Sequence, residues 1–139
     1  MAKFVLKNAV ITVDGDDVSD HVSSVTIETS RDEVDVTAFG ATNREILPGL
    51  GDATITLSIF QDFASNEIDQ NFWVHSTEDS PFEVTVKPTN AAISSTNPEY
   101  SMQALLFTYN PIAGAVGEAS TTDVVFRNAS QTGLVRAFT

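Results

Sequence analysis

The residues of this chain that could carry chemistry are few and scattered. The two histidines are His21 and His75. A nucleophilic triad would set one of them beside a serine on a strand-to-helix elbow, with an acid behind it, and neither histidine has such a partner in the sequence. The densest acidic group is Asp14, Asp16 and Asp17 around Gly15, with Asp20 close behind. A calcium loop spaces its oxygen ligands regularly and ends on a bidentate Glu. That order is missing here, so the segment reads as a solvated hairpin turn, where Asp and Gly are favoured. Gly49-Leu50-Gly51 lacks the following helix and the lysine of a phosphate loop. Paired carboxylates for glycoside cleavage need an aromatic platform, whereas the aromatics here are mostly Phe. With no cysteine, thiol catalysis, Cys-ligated zinc, iron–sulfur clusters and disulfides are excluded. The expectation is a protein that is not an enzyme and that has no cofactor or metal site.

Composition narrows the class further. The chain has 139 residues, seven basic side chains against nineteen acidic ones, and a net charge of -12. Such a balance disfavours a phosphate-gripping nucleic-acid binder and docking on an anionic membrane surface. With 42% hydrophobic and 19% charged residues, the composition is globular rather than disordered. The length fits a single domain over residues 1–139. No stretch approaches the ~18 apolar residues of a membrane span. The opening Met1-Ala2-Lys3-Phe4-Val5-Leu6-Lys7 has too short an apolar run for a signal peptide. Without one, the Asn128-Ala129-Ser130 sequon reads as chance.

The elements that must position these residues are strands. Val25, Ile27 and Thr29 alternate with polar neighbours, as do Val34 and Val36, then Ala53, Ile55, Leu57 and Ile59, then Phe82, Val84 and Val86. A period of two marks a strand with one buried face. Phe4–Leu6 and Val10–Val13 read as early strands, and Val124–Arg127 and Gly133–Phe138 as late ones. Tyr100–Tyr109 is apolar on both faces, Met102, Ala104 and Leu106 on one and Leu105, Phe107 and Tyr109 on the other, which predicts cover on both sides. Asp14-Gly15 predicts a tight hairpin turn, and residues 88–98 read as loop. One helix is expected over about 64–76, capped by Ser65 or Asn66, with Ile68, Phe72 and His75 along one side and Trp73 helping to seat it. A helical turn is expected at Ser19–Val22. The fold class is all-β: an antiparallel β-sandwich or partly closed barrel, one flanking helix, and a long hairpin loop over about 30–52.

That loop is the informative stretch. Between the run ending near Phe39 and the strand Ala53–Ile59 lie some fifteen residues with no clean period. Long loops are usually functional. Phe39, Ile46, Leu47 and Leu50 cannot all be core, and apolar side chains on a long hairpin mark a protein–protein contact.

The same stretch, Val34-Asp35-Val36-Thr37-Ala38-Phe39-Gly40 followed by Arg44-Glu45-Ile46-Leu47-Pro48-Gly49-Leu50 and Asp52, resembles the tail tube (major tail) proteins of long-tailed bacteriophages. The opening hairpin Asp14–Val25 with its Ser-Asp-His turn resembles that family too, as do the strand Tyr100–Asn110 and the segment Gly117–Phe126. The resemblance spans essentially the whole chain. It implies hexameric rings whose inner sheets join around a channel, stacked helically into a hollow virion tail tube. Rings would close by rotation while the axial contact propagates. The ring-stacking loop would comprise Arg31, Phe39, Arg44, Glu45, Ile46, Leu47, Pro48 and Leu50, with the two arginines pairing with a neighbour's carboxylates. DNA would cross the lumen during ejection without specific binding, helped by an acidic wall that repels it. The candidate lumen residues are Thr54, Thr56, Ser58, Glu83, Thr85 and Asp123. Implied partners are copies of the chain and the tape measure, terminator and distal tail proteins; no membrane is involved. Assembly would take place in the bacterial host cytoplasm. The alternatives are another virion part, a tail-completion or head decoration protein, and a soluble ligand-binding sandwich.

Overall fold

A computed structural model describes residues 3–138, so Met1 and Ala2 of the N-terminal run lie outside the described residues. Among the described residues there are eight antiparallel strands in one sheet and one α-helix. In chain order the strands are β1 (Val10–Val13), β2 (Asp16–Asp17), β3 (Val22–Asp35), β4 (Ile46–Phe60), β5 (Phe82–Lys87), β6 (Glu99–Leu106), β7 (Thr121–Asn128) and β8 (Val135–Ala137). They lie in the order β2-β1-β5-β6-β7-β4-β3, with β8 pairing the start of β6. The sheet does not close into a full barrel.

The period of two decides which way each strand faces. Ala53, Ile55, Leu57 and Ile59 of β4, Val124 and Phe126 of β7, Met102, Ala104 and Leu106 of β6, and Phe82, Val84 and Val86 of β5 are all buried. The pairings Ile55↔Phe126 and Leu106↔Phe126 place them on one face. Val25 and Ile27 of β3 pack against the same core. Asp14 and Gly15 both take positive φ, 52° and 84°. Together they make the two-residue turn that joins β1 to β2 as expected.

Helix α1 covers the core face. It runs Ile68–Thr77, with Ile68, Phe72 and His75 buried along the expected side. Phe72 meets Tyr109 and Phe126 edge to face at 6.2 and 6.0 Å. His75 is buried and stacks on Phe82 at 4.2 Å, with Nδ1 3.1 Å from Glu78 Oε2. It is thus a core histidine rather than a surface one. The cap differs from expectation: Glu67 is the N-cap and makes no side-chain cap bond. Asn66 instead sits at φ 63° and donates its N–H to Gln70 Oε1. Trp73 is 57% exposed and so does not seat the helix. The helical turn at Ser19–His21 is a short 3-10 helix. It is tied to β1, where Ile11 N–H donates to Ser19 Oγ at 2.9 Å.

Two strand expectations change. Phe4–Leu6 is not a strand and is exposed. Strand β6 is covered on one side only. Its core face is buried, but Gln103 is exposed and Leu105 half-buried on the other. The helix contributes nothing to that second side, because it packs on the core. Tyr109, expected on the uncovered face, lies past the strand end and turns toward the helix. Its hydroxyl donates to Asp69 Oδ1 at 2.8 Å and accepts from Gln61 Nε2 at 2.9 Å. Burial pushes its pKa up, to about 12, with Gln61 opposing and Asp69 adding to the shift.

Candidate assembly surfaces

The hairpin expected as a loop over about 30–52 is largely ladder. β3 and β4 stay paired from Val22↔Ile59 out to Asp35↔Ile46. The last buried residue on β4 is Ala53. At ~3.4 Å per residue, the paired ribbon from Thr29 to Asp35 extends about 20 Å beyond the core. Only residues 36–45 form the tip. They are held by Val36 N–H to Glu45 O at 2.9 Å, Glu45 N–H to Thr37 Oγ1 at 2.7 Å, and Thr37 N–H to Asp35 Oδ1 at 2.9 Å. The bonds from the Thr37 backbone and hydroxyl hold the Asp35 carboxyl below its ordinary range.

A bulge hides this ladder from the sequence. Arg31 pairs with Gly51, but Glu33 pairs with Pro48, so Gly49 and Leu50 together oppose Asp32. A Cβ on Gly49 would lie 2.9 Å from Asp32 Cβ and 3.0 Å from Val34 Cγ2. Only glycine fits that close approach without a shift. In Gly49→Val, hydrogen exchange is expected to lose protection at the ribbon amides of residues 46–51. Amides of β5, β6 and β7 should keep theirs, because the ribbon adds nothing to the core. Unchanged ribbon protection would show that the bulge tolerates a side chain.

The expected contact residues all lie on this ribbon, but not on one face of it. Leu47 pairs with Val34 on one face; Ile46 and Pro48 pair with Asp35 and Glu33 on the other. Leu50 stands in the bulge, 82% exposed, and Phe39 is fully exposed at the tip. Val34 and Val36, absent from the expected set, are exposed there too. Their alternation with acids signals a half-buried strand, yet among the described residues nothing covers them. Arg44 Nη1 lies 3.5 Å from Asp35 Oδ2 within the same hairpin, both well exposed, a pair of small energetic value in solvent. Arg31, Glu33, Ile46, Leu47 and Pro48 line a groove of about 430 Å³ along the ribbon.

The second surface is the sheet face opposite the core. Register sets Ser58 beside Asp123 and Ser24, Thr56 beside Val125 and Thr26, and Thr54 beside Arg127 and Glu28. Glu83 and Thr85 continue the face on β5, opposite Gln103 and Ser101. The six residues Thr54, Thr56, Ser58, Glu83, Thr85 and Asp123 therefore share one side of the sheet. Thr85 is buried there and hydrogen-bonds Thr12, so it offers no side chain to solvent. The face is rich in hydroxyls and carries part of the acid excess. Glu28, Asp52, Glu83, Glu99 and Asp123, with Asp17 on the edge strand, stand against Lys87 and Arg127, and Arg127 Nη2 is 3.7 Å from Asp52 Oδ2. Most of the chain's acid excess lies elsewhere, on the Asp14–Asp20 hairpin, around the helix and along the ribbon.

No protein-family model and no curated protein matches the chain. Solved structures do. A chain from the virion of a native gene transfer agent particle superposes with a TM-score of 0.72 at 16% identity, covering 95% of each chain. The chain shares its fold with a virion protein. A chain of the sheath/tube terminator of an extracellular contractile injection system, PVC, in its extended state gives 0.71 at 13% identity, covering 98% of this chain and 97% of that one. The tail of an empty gene transfer agent particle, refined with C6 symmetry, gives 0.65 at 16% identity over 86% and 82%. The ribbon is the outward continuation of β3 and β4, and β4 also carries Thr54, Thr56 and Ser58 of the hydroxyl face.

Proposed function

We propose that this chain is a structural protein of a phage-like tail, copies of which form hexameric rings stacked into a hollow tube. The observation that carries this reading is the ribbon. It spends some fifteen residues on a ladder that its own core does not support, and it exposes apolar side chains on both faces. Such a ribbon needs partners on both sides. A second copy in the ring and one in the next ring supply them. Rings then close while stacking propagates, and joined sheets hide the free edges of β3 and β2.

The hydroxyl face is the natural lumen wall. It has few cations, and each lies near a carboxylate or at the rim, so phosphates find little to hold. DNA would slide past Thr54, Thr56, Ser58, Glu83 and Asp123 without specific binding during ejection. Tape measure, terminator and distal tail proteins would be the other partners, in a virion tail. The likeness to a tube terminator and to a tube-terminating cap of the anti-feeding prophage, the latter at a TM-score of 0.68 and 13% identity, supports a second reading as a tail-completion ring.

Electron microscopy of the purified full chain separates the two. Long hollow tubes are expected. Closed rings that never stack would favour the completion role, and a monomer at all concentrations would sink both.

A further inference from the structure

The His21 side chain lies where three chain segments meet. Its Nε2 is 3.0 Å from Asp62 Oδ2, and its Nδ1 is 2.9 Å from Asp20 Oδ1. Glu67, the N-cap of α1, brings a third carboxylate: one ligand atom each from His21, Asp62 and Glu67 lie within 4.8 Å of one another. A cavity of about 180 Å³ opens beside them, lined also by Asp16, Asp17 and Asn71. No lysine or arginine lines it. We propose that His21 Nε2, Asp62 and Glu67 form a binding site for a divalent transition-metal ion of the zinc class.

The geometry supports this in three ways. Zinc binds imidazole nitrogen at ~2.0–2.1 Å and carboxylate oxygen at ~2.0–2.2 Å, so tetrahedral ligands stand about 3.3 Å apart. The His21–Asp62 separation of 3.0 Å is already close to that, and the Glu67 ligand atom lies within 4.8 Å of both, so a side-chain adjustment brings it in. The ligands are also held from behind. Asp20 accepts from Nδ1 and keeps that nitrogen protonated, so that Nε2 is the one that exchanges its proton for a metal. Asp62 Oδ1 accepts the N–H of Ala64 at 2.9 Å, which aims Oδ2 at the site. The donor set itself selects the ion. One imidazole and two carboxylates with room for water suit a borderline cation, whereas calcium would want six to eight oxygens. On binding, the cation takes the place of the Nε2 proton, which leaves to solvent. It ties the 3-10 turn, the segment after β4 and the start of α1 together. The site lies on the helix side of the molecule, away from the ribbon tip, and does not depend on the assembly reading.

Metal-free full-length protein titrated with Zn²⁺ by calorimetry is expected to bind one equivalent per chain. In nitrogen-15 spectra the His21 Nε2 resonance should move while those of His75 stay. At a free Zn²⁺ concentration a hundredfold above Kd, the Tm should rise by on the order of 5–10 °C. Asp20→Asn should weaken binding by about 10–100-fold, and Glu67→Gln by at least as much. A stoichiometry near zero, movement of His75 instead of His21, or full affinity in Glu67→Gln would each overturn the site. Should a variant fail to fold, the nitrogen-15 titration of the unaltered chain still decides.

Discussion

The double variant Leu47→Asp, Leu50→Asp is expected to remain a folded, soluble protein that forms no tubes. Both side chains are well exposed on the ribbon, and no buried residue of the core lies beyond Ala53 on β4. Removing them costs the single chain almost nothing, so the circular dichroism spectrum should match that of the unaltered chain and the Tm should stay within a few degrees. The loss falls on association. A leucine fully buried at an interface contributes about 1.5–3 kcal/mol. A carboxylate forced into the same place without a partner adds a desolvation penalty of several kcal/mol. Each stacked subunit would carry both penalties at two positions, and a ring multiplies them around its circumference. Sedimentation should therefore show only small species, and micrographs no filaments. Tubes of ordinary length from this variant would mean that the ribbon is not the stacking contact.

How far that ribbon could be read from the residues illustrates what a sequence conveys and what it hides. The core strands β4, β5 and β7 were legible because their buried face leaves a strict alternation, as in Ala53, Ile55, Leu57 and Ile59. The distal half of β4 was not, for a physical reason. The extra residue at Gly49-Leu50 shifts the register by one, which reverses which side chains face which way. Beyond the core, no burial imposes a period at all. The result looks like fifteen residues of irregular loop although much of it is paired strand. The helix shows the same contrast on a smaller scale. Ile68, Phe72 and His75 were identifiable as one face because burial fixes their spacing. The cap depends on which side chain reaches the helix start, which spacing does not tell, and Trp73, one residue on from Phe72, stands about 100° round the helix from the buried side.

The chemistry-bearing residues divide in the same way. The hydroxyl face could be named strand by strand, and register then unites Thr54, Thr56, Ser58 and Asp123 as neighbours. How much of the net -12 falls on it could not be foreseen, because total charge says nothing about where the acids stand. The His21 cluster was illegible altogether. Asp62 is 41 residues away from His21 in the chain, and only the packing of the 3-10 turn against the segment entering α1 brings the two together. Once they meet, the effect on both is clear. Burial pulls the His21 pKa down, but the hydrogen bonds and charges of Asp62 and Asp20 outweigh it and raise the net value. The Ala64 N–H, with His21, holds Asp62 low.

Phe126→Ala should be the most damaging single change to the folded chain. The side chain is fully buried at the centre of the core. It meets Phe72 of the helix edge to face at 6.0 Å and Phe82 of β5 at 5.7 Å. On β7 it stands between Ile55 and Leu106. Truncating such a residue costs about 3–5 kcal/mol through lost transfer energy and the cavity left behind, and the two aromatic contacts place it toward the upper end. Domains of this size have about 5–15 kcal/mol in total. The Tm is therefore expected to fall by on the order of 10–20 °C. Phe126→Leu should recover about half of that loss, because it refills most of the volume. The consequence reaches the assembly through β7, whose outward residues Asp123, Val125 and Arg127 are positioned only as well as Phe126 anchors the strand from within. Tubes formed by Phe126→Ala at low temperature should consequently dissociate on warming well before those of the unaltered chain. The Leu47→Asp, Leu50→Asp protein should show the opposite separation, an intact fold with no tube at any temperature. If Phe126→Ala melted within a few degrees of the unaltered chain, the helix, β5 and β7 would not be sharing one core.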